Sequence, residues 1–167
     1  NERLSDYAEM TERALGRYLP ETKCLQENVI NAARYSLSAG GKRIRPALVM
    51  EFCRVCGGLP ETALPVACAI EMMHTFSLIH DDLPCMDNDD MRRGKPSCHK
   101  AFGETNALLA GDALAIMPAQ IIAQAALKGA LSQEAALRII ALLGERAGVF
   151  GMIGGQTIDT ENEGRQL

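Results

Sequence analysis

Asp81, Asp82, Asp87, Asp89 and Asp90 place five carboxylates within ten residues. Mutual repulsion makes such a cluster costly beside apolar sequence unless cations neutralise it. Hard carboxylate oxygens suit Mg²⁺, which takes one or two carboxylates and completes its shell with water and phosphate oxygens. An unbroken helix would set Asp81 and Asp87 about 240° apart. Pro84 stands between them, and it lets the chain turn and return Asp87 toward Asp81. A solvated acidic loop, or a weak Ca²⁺ site, is the alternative. It lacks EF-hand spacing and does not explain the adjoining Arg92-Arg93.

Positive charge gathers in two short places, Gly40-Gly41-Lys42-Arg43-Ile44-Arg45-Pro46 and Arg92-Arg93. Glycines let backbone N–H groups approach an oxyanion, and arginine adds permanently charged, bidentate contacts. Either set alone reads as solvated surface. Together with the acidic cluster they imply two diphosphates, one held with metal and one without.

The elements that must position these groups read as helices. Hydrophobic residues make up 47% of the 167, yet aromatics only 4%, and the apolar content comes mostly from Ala, Leu, Ile and Met, which favours helix over sheet. Helices are expected near 3–18, 25–38, 45–57, 63–82, 105–127 and 132–153. Pro20, Gly40-Gly41, Gly57 to Pro60 and the stretch from Pro84 to Pro96 punctuate them. No run alternates in the manner of a strand, so the fold class is all-α in a single domain, 1–167. Ser132 reads as a helix N-cap, and Gly148, Gly151 and Gly154 as a close-approach face for another helix. The segment from Ala63 to Asp82 is apolar almost all round, as a buried helix is. Glu71, His74, Thr75, Asp81 and Asp82 break that rule within an arc of about 120°. A polar stripe on a buried helix needs partners or a function.

A net charge of -4 argues against a general nucleic-acid binder. Cys53 and Cys56 form a CxxC with no second pair to complete a zinc site, so the six cysteines read as reduced, mostly buried thiols. The polar start, Asn1–Arg17, does not read as a signal peptide. Ala107–Leu127 is long enough to span a bilayer but carries Asp112, Pro118, Gln120 and Gln124, so a core helix is the better reading. A cytoplasmic location follows as the expectation.

GGKRIRP at 40–46, HTFSLIHDDLPCMDNDDMRRGKP at 74–96, FGETNALLAGDAL at 102–114 and GGQTIDTENEG at 154–164 resemble the trans-prenyl diphosphate synthases, above all the bacterial farnesyl and geranylgeranyl types. The resemblance implies a helical bundle of the isoprenoid synthase type around a central cavity, working as a homodimer. It implies condensation of isopentenyl diphosphate with an allylic diphosphate. Asp81 and Asp87 would then be Mg²⁺ ligands with Asp82 assisting, and Arg92 would meet the allylic diphosphate. Lys42, Arg45, His74 and Arg93 would hold isopentenyl diphosphate, with Gln156 and Asp159 in support. The family's second Asp-rich motif and downstream lysines do not occur here, so the chain reads as the N-terminal portion of such a synthase, inactive by itself. A non-catalytic subunit of the same fold is one rival. An HD-type phosphohydrolase is another, and it explains neither GGKRIRP nor the tandem arginines.

Product length turns on the residues just before Asp81. Ser77 lies nearly beneath Asp81, about 40° round and one turn down, whereas Phe76 is about 140° round. The wheel therefore does not place Phe76 in the path of a growing chain. The resemblance supplies that link, since an aromatic at this position accompanies a fifteen-carbon product. Farnesyl diphosphate is the expected product and geranylgeranyl diphosphate the runner-up.

Overall fold

The structure, a computed structural model, describes residues 2–162. In chain order the helices are α1 (Glu2–Tyr18), α2 (Glu27–Leu37), α3 (Ile44–Val55), a 3₁₀ turn (Pro60–Ala63), α4 (Leu64–Asp81), α5 (Cys98–Phe102), α6 (Glu104–Leu127), α7 (Gln133–Ala147) and α8 (Met152–Glu161). The all-α expectation holds. Between α4 and α5 a minute antiparallel hairpin pairs β1 (Met91–Arg92) with β2 (Lys95–Pro96).

The chain divides into two compact units, Asn1–Ile121 and Ile122–Leu167. In the first, α4 is the central helix and packs against α1, α2 and α3. Its apolar surface accounts for that place, because Cys68, Met72, Phe76 and Ile79 are all buried. They join Leu15 and Leu19 at the end of α1 and just beyond it, Ala33 and Leu37 of α2, and Leu114 of α6 in one core. A smaller cluster of Tyr7, Ala47, Met50, Ala63 and Ala67 ties α1 and α3 to the start of α4. Helix α1 is amphipathic, burying Tyr7, Thr11, Ala14 and Leu15 at helical spacing.

In the second unit, Ser132 caps α7 as expected, its hydroxyl accepting from the Ala135 N–H at 3.1 Å. The helix expected over 132–153 ends instead at Ala147, and α8 begins at Met152. Gly148 closes α7, Gly151 stands just before α8, and Gly154 lies in its first turn. A Cβ on Gly148, Gly151 or Gly154 would run into the carbonyl oxygen of Gly144, Arg146 or Val149 respectively. Each glycine therefore meets a demand of the chain's own backbone, which its spacing alone did not reveal.

The thiols are also less buried than expected. Cys68 and Cys98 are buried, Cys53 is half-buried, and Cys24, Cys56 and Cys85 are exposed, all six free. Burial pushes the Cys68 thiol up to about 12, so it stays protonated at any physiological pH. Two segments, Pro60–Asp81 and Glu104–Leu127, are long and apolar enough to cross a membrane by length and composition alone.

Candidate active site

Helix α4 delivers the acidic cluster to a turn that folds back on itself. After Asp81 the chain passes through Leu83-Pro84, and the Met86 N–H donates to the Leu83 carbonyl at 2.9 Å. The Asp87 N–H then donates to the Asp81 carbonyl at 2.8 Å, and Asn88 takes a left-handed conformation with φ 52°. The return of Asp87 toward Asp81 is therefore present. Asp81 is half-buried, and burial followed by the Asp87 charge pushes its carboxyl above the usual carboxylate range. A cation between the two would relieve that repulsion.

Asp82 has a different environment. It is only 2% exposed, and Arg92 Nε reaches its two oxygens at 3.0 and 3.2 Å, with Arg92 Nη2 on Oδ1 as well. Arg92 Nη2 also meets Asp89 at 3.1 Å. A carboxylate this deep requires a paired charge, and Arg92 supplies it. The hairpin aims Arg92 at Asp82. Its two-residue loop, Arg93-Gly94, has φ of 53° and 77°, the positive pair characteristic of a type I′ turn.

The same hairpin carries Arg93 to the glycine loop. Arg93 Nη1 donates to the Gly40 carbonyl, and Nη2 lies 3.5 Å from His74 Nε2. Gly41, at φ 133°, holds a backbone strained for any residue with a side chain, and a Cβ there would also stand 2.7 Å from Arg93 Nη1. Lys42 and Arg45 are exposed, and neither has a carboxylate partner within 4.0 Å among the described residues. Burial and then Arg45 depress the His74 pKa, so its ring is neutral at neutral pH. Burial and Arg43 likewise depress Arg93. Arg93 and His74 thus stand beside the loop that carries Lys42 and Arg45, a set whose charge and bare glycine backbone suit an anion.

Below the acidic turn, Phe76 is 7% exposed within the main core. Its ring meets His80 edge-on with centroids 5.4 Å apart. His80 Nε2 lies 3.1 Å from the Leu108 carbonyl and 3.8 Å from Asp112. It fits only because Gly111 has no side chain, since a Cβ there would overlap the imidazole. The Ser77 hydroxyl donates to the His74 carbonyl at 2.9 Å.

Residues 26–167 match the polyprenyl synthetase family. The chain belongs to that family. It is 48% identical over 164 residues to the farnesyl diphosphate synthase of Geobacillus stearothermophilus, covering 98% of this chain and 54% of that one. It is also 48% identical to the heterodimeric geranylgeranyl pyrophosphate synthase large subunit 1 of Arabidopsis thaliana, covering 96% of this chain and 43% of that one. Among solved structures, an FPP/GFPP synthase from Zymomonas mobilis superposes with a TM-score of 0.91 at 39% identity, covering 98% of this chain and 58% of that one. The chain thus spans about half the length of the curated relatives it matches.

Within the family frame, the structure gathers Lys42, Arg45, His74 and Arg93 at one loop and Asp81 and Asp87 at one turn. Asp82 and Arg92 are joined to each other. Gln156 and Asp159 lie on α8 in the second unit, half-buried and exposed respectively, and residues 163 and 164 of that motif fall outside the described residues. Arg43 departs most from its sequence reading. The basic run groups it with the anion-facing cations, yet its side chain is fully buried, with Nη1 2.5 Å from Glu71 and Nε 2.6 Å from Glu12. One clue lay in the sequence, the carboxylate of Glu71 in the middle of a largely apolar helix.

Among the described residues, no three His, Cys, Asp or Glu side chains converge as a ready metal cage. Asp81 and Asp87 are two carboxylates with mutual repulsion and open access. That set suits Mg²⁺, which keeps waters and shares phosphate oxygens.

Proposed function

We propose that the protein carrying this chain condenses isopentenyl diphosphate with an allylic diphosphate, dimethylallyl or geranyl, to give farnesyl diphosphate. One observation carries the reading: a carboxylate pair folded onto itself lies a few residues from a cation cradle that lacks carboxylate partners. Asp81 and Asp87 would hold Mg²⁺, with Asp82 assisting through the Arg92 it orients. When bound, Mg²⁺ supplies charge neutralisation for a departing diphosphate.

The chain's own residues do the rest. Arg92 Nη1 has no hydrogen-bond partner among the described residues and remains able to donate to the allylic diphosphate. Lys42, Arg45 and Arg93 bind the second diphosphate, and neutral His74 donates or accepts a hydrogen bond beside it. Held in this way, the double bond of isopentenyl diphosphate meets the allylic carbon as its C–O bond breaks. The proton lost at the end passes to the released diphosphate, since no side chain among the described residues is placed as a base. Phe76 closes the path of the growing chain.

The protein works as a homodimer in the cytoplasm, with α4 and α6 as core helices rather than membrane spans, and takes no nucleic acid. The polar stripe of α4 and its central packing support the core-helix reading of α4. A twenty-carbon product is the second reading, favoured by geranylgeranyl synthases among the relatives. Incubation with isopentenyl and geranyl diphosphates and Mg²⁺, followed by chromatography of the dephosphorylated products, tests the proposal. A fifteen-carbon alcohol is expected, a twenty-carbon one favours the second reading, and no condensation refutes both.

A further inference from the structure

Arg43 sits between two exposed cations, Lys42 and Arg45, yet faces the opposite way. Its backbone is left-handed at φ 47°, following Gly40 at 84° and Gly41 at 133°. The two glycines take positive φ freely, whereas Arg43 holds its left-handed backbone only where its surroundings over-determine it. Here the determinant is a single guanidinium reaching three helices. Nε meets Glu12 of α1 at 2.6 Å, Nη1 meets Glu71 of α4 at 2.5 Å, and Nη2 donates to the Leu37 carbonyl at the end of α2.

We propose that Arg43 is a positioning residue, which fixes the Gly40–Arg45 loop in the shape that presents Lys42 and Arg45 to the diphosphate bound without metal. The proposal rests on reading that loop as the isopentenyl diphosphate site. Arg43 itself adds no net attraction for an anion, because two carboxylates already answer its charge. It also neutralises Glu71, a carboxylate whose charge is felt at His74 and Arg93 on the cradle side. Arg93 pins the lip of the same loop through the Gly40 carbonyl, so the loop is held from beneath and from above. Lysine retains the charge of Arg43 but cannot reproduce a fork that serves three acceptors at once.

Arg43→Lys in the full-length protein tests this, with metal-free calorimetric titration of inorganic pyrophosphate and steady-state kinetics. Pyrophosphate binding should weaken about tenfold, and the isopentenyl diphosphate KM should rise to match, while kcat and the allylic KM stay within about twofold. A folded Arg43→Lys variant that loses only thermal stability and binds pyrophosphate like wild type overturns the proposal. If that variant does not fold, Glu12→Gln replaces it, since Glu12 is half-exposed and its loss is milder. About threefold weaker pyrophosphate binding supports the proposal, and unchanged binding overturns it. Wild-type protein that binds pyrophosphate but never condenses isopentenyl diphosphate overturns the prenyl-transfer reading alone. The contrast between wild type and variant in pyrophosphate binding still decides the role of Arg43.

Discussion

Gly41→Ala and Gly40→Ala are neighbouring substitutions that should behave very differently. At Gly41 the new Cβ would lie 2.7 Å from Arg93 Nη1 and 2.9 Å from Cζ, so the guanidinium must move away. Moving costs its hydrogen bond to the Gly40 carbonyl, about 2 kcal/mol for a charged donor. A backbone φ of 133° adds strain of about 2 kcal/mol for any residue with a side chain. The sum is a loss of about 4 kcal/mol. At Gly40, φ is 84° and nothing lies within 4 Å of a new Cβ. Only the left-handed backbone is penalised there, by about 1–2 kcal/mol. Urea denaturation measures both losses, and titration with pyrophosphate measures the cradle. Gly41→Ala should weaken pyrophosphate about tenfold or more through displaced Arg93, and Gly40→Ala by no more than about threefold. Equal losses of stability and affinity in the two variants would refute the claim that Arg93 is why residue 41 is glycine.

Arg92→Ala leaves the buried Asp82 carboxylate unpaired and should cost about 2–3 kcal/mol, less than a fully buried pair because Arg92 is itself 34% exposed. Thermal denaturation measures this, and the Asp82→Asn/Arg92→Gln double variant should recover most of the loss. Phe76→Ala should cost about 3–5 kcal/mol and lengthen the product, and an unchanged product distribution would make Phe76 a core residue only. Three groups, Arg54, Tyr7 and Arg3, hold the Glu51 carboxyl down at about 2 from its ordinary 4.5, tying α3 to α1. Its folded-state pKa is depressed, so its stabilisation is complete above about 4.5 and is lost as pH falls toward about 2. Glu51→Gln should flatten that acid limb in denaturation midpoints measured from pH 5 to pH 2.5, and an unchanged limb would contradict the network.

Much of this was legible in the sequence because it is local. Pro84 announced the fold-back of Asp87, Ser132 announced a cap, and the polar stripe marked α4 as a helix with unusual demands. Less legible was whatever depends on partners far along the chain or on single dihedral angles. Arg43 looked like its neighbours Lys42 and Arg45. Only the packing of α4 beside α3 brings Glu71, 28 residues away, to its guanidinium. The hairpin at 91–96 has strands of two residues, too short for alternation to register, and its turn is set by positive φ at Arg93 and Gly94. The glycines at 148, 151 and 154 matched a packing face by spacing, but spacing does not distinguish approach of another helix from approach of the chain's own carbonyls. Thiol burial also escaped, because cysteine composition says nothing about which helix face each thiol occupies.

The most direct test of the account is incorporation of labelled isopentenyl diphosphate into acid-labile product by the full-length protein, measured against Mg²⁺ concentration for wild type, Asp81→Ala and Asp87→Ala. Both variants should fold normally, since Asp81 is already held above the usual carboxylate range and Asp87 is exposed. Wild type should incorporate label only with Mg²⁺, and each variant should lose at least about a hundredfold in turnover at saturating substrate. Incorporation at the wild-type rate by either folded variant, with the same Mg²⁺ dependence, would contradict the role assigned to the Asp81–Asp87 turn.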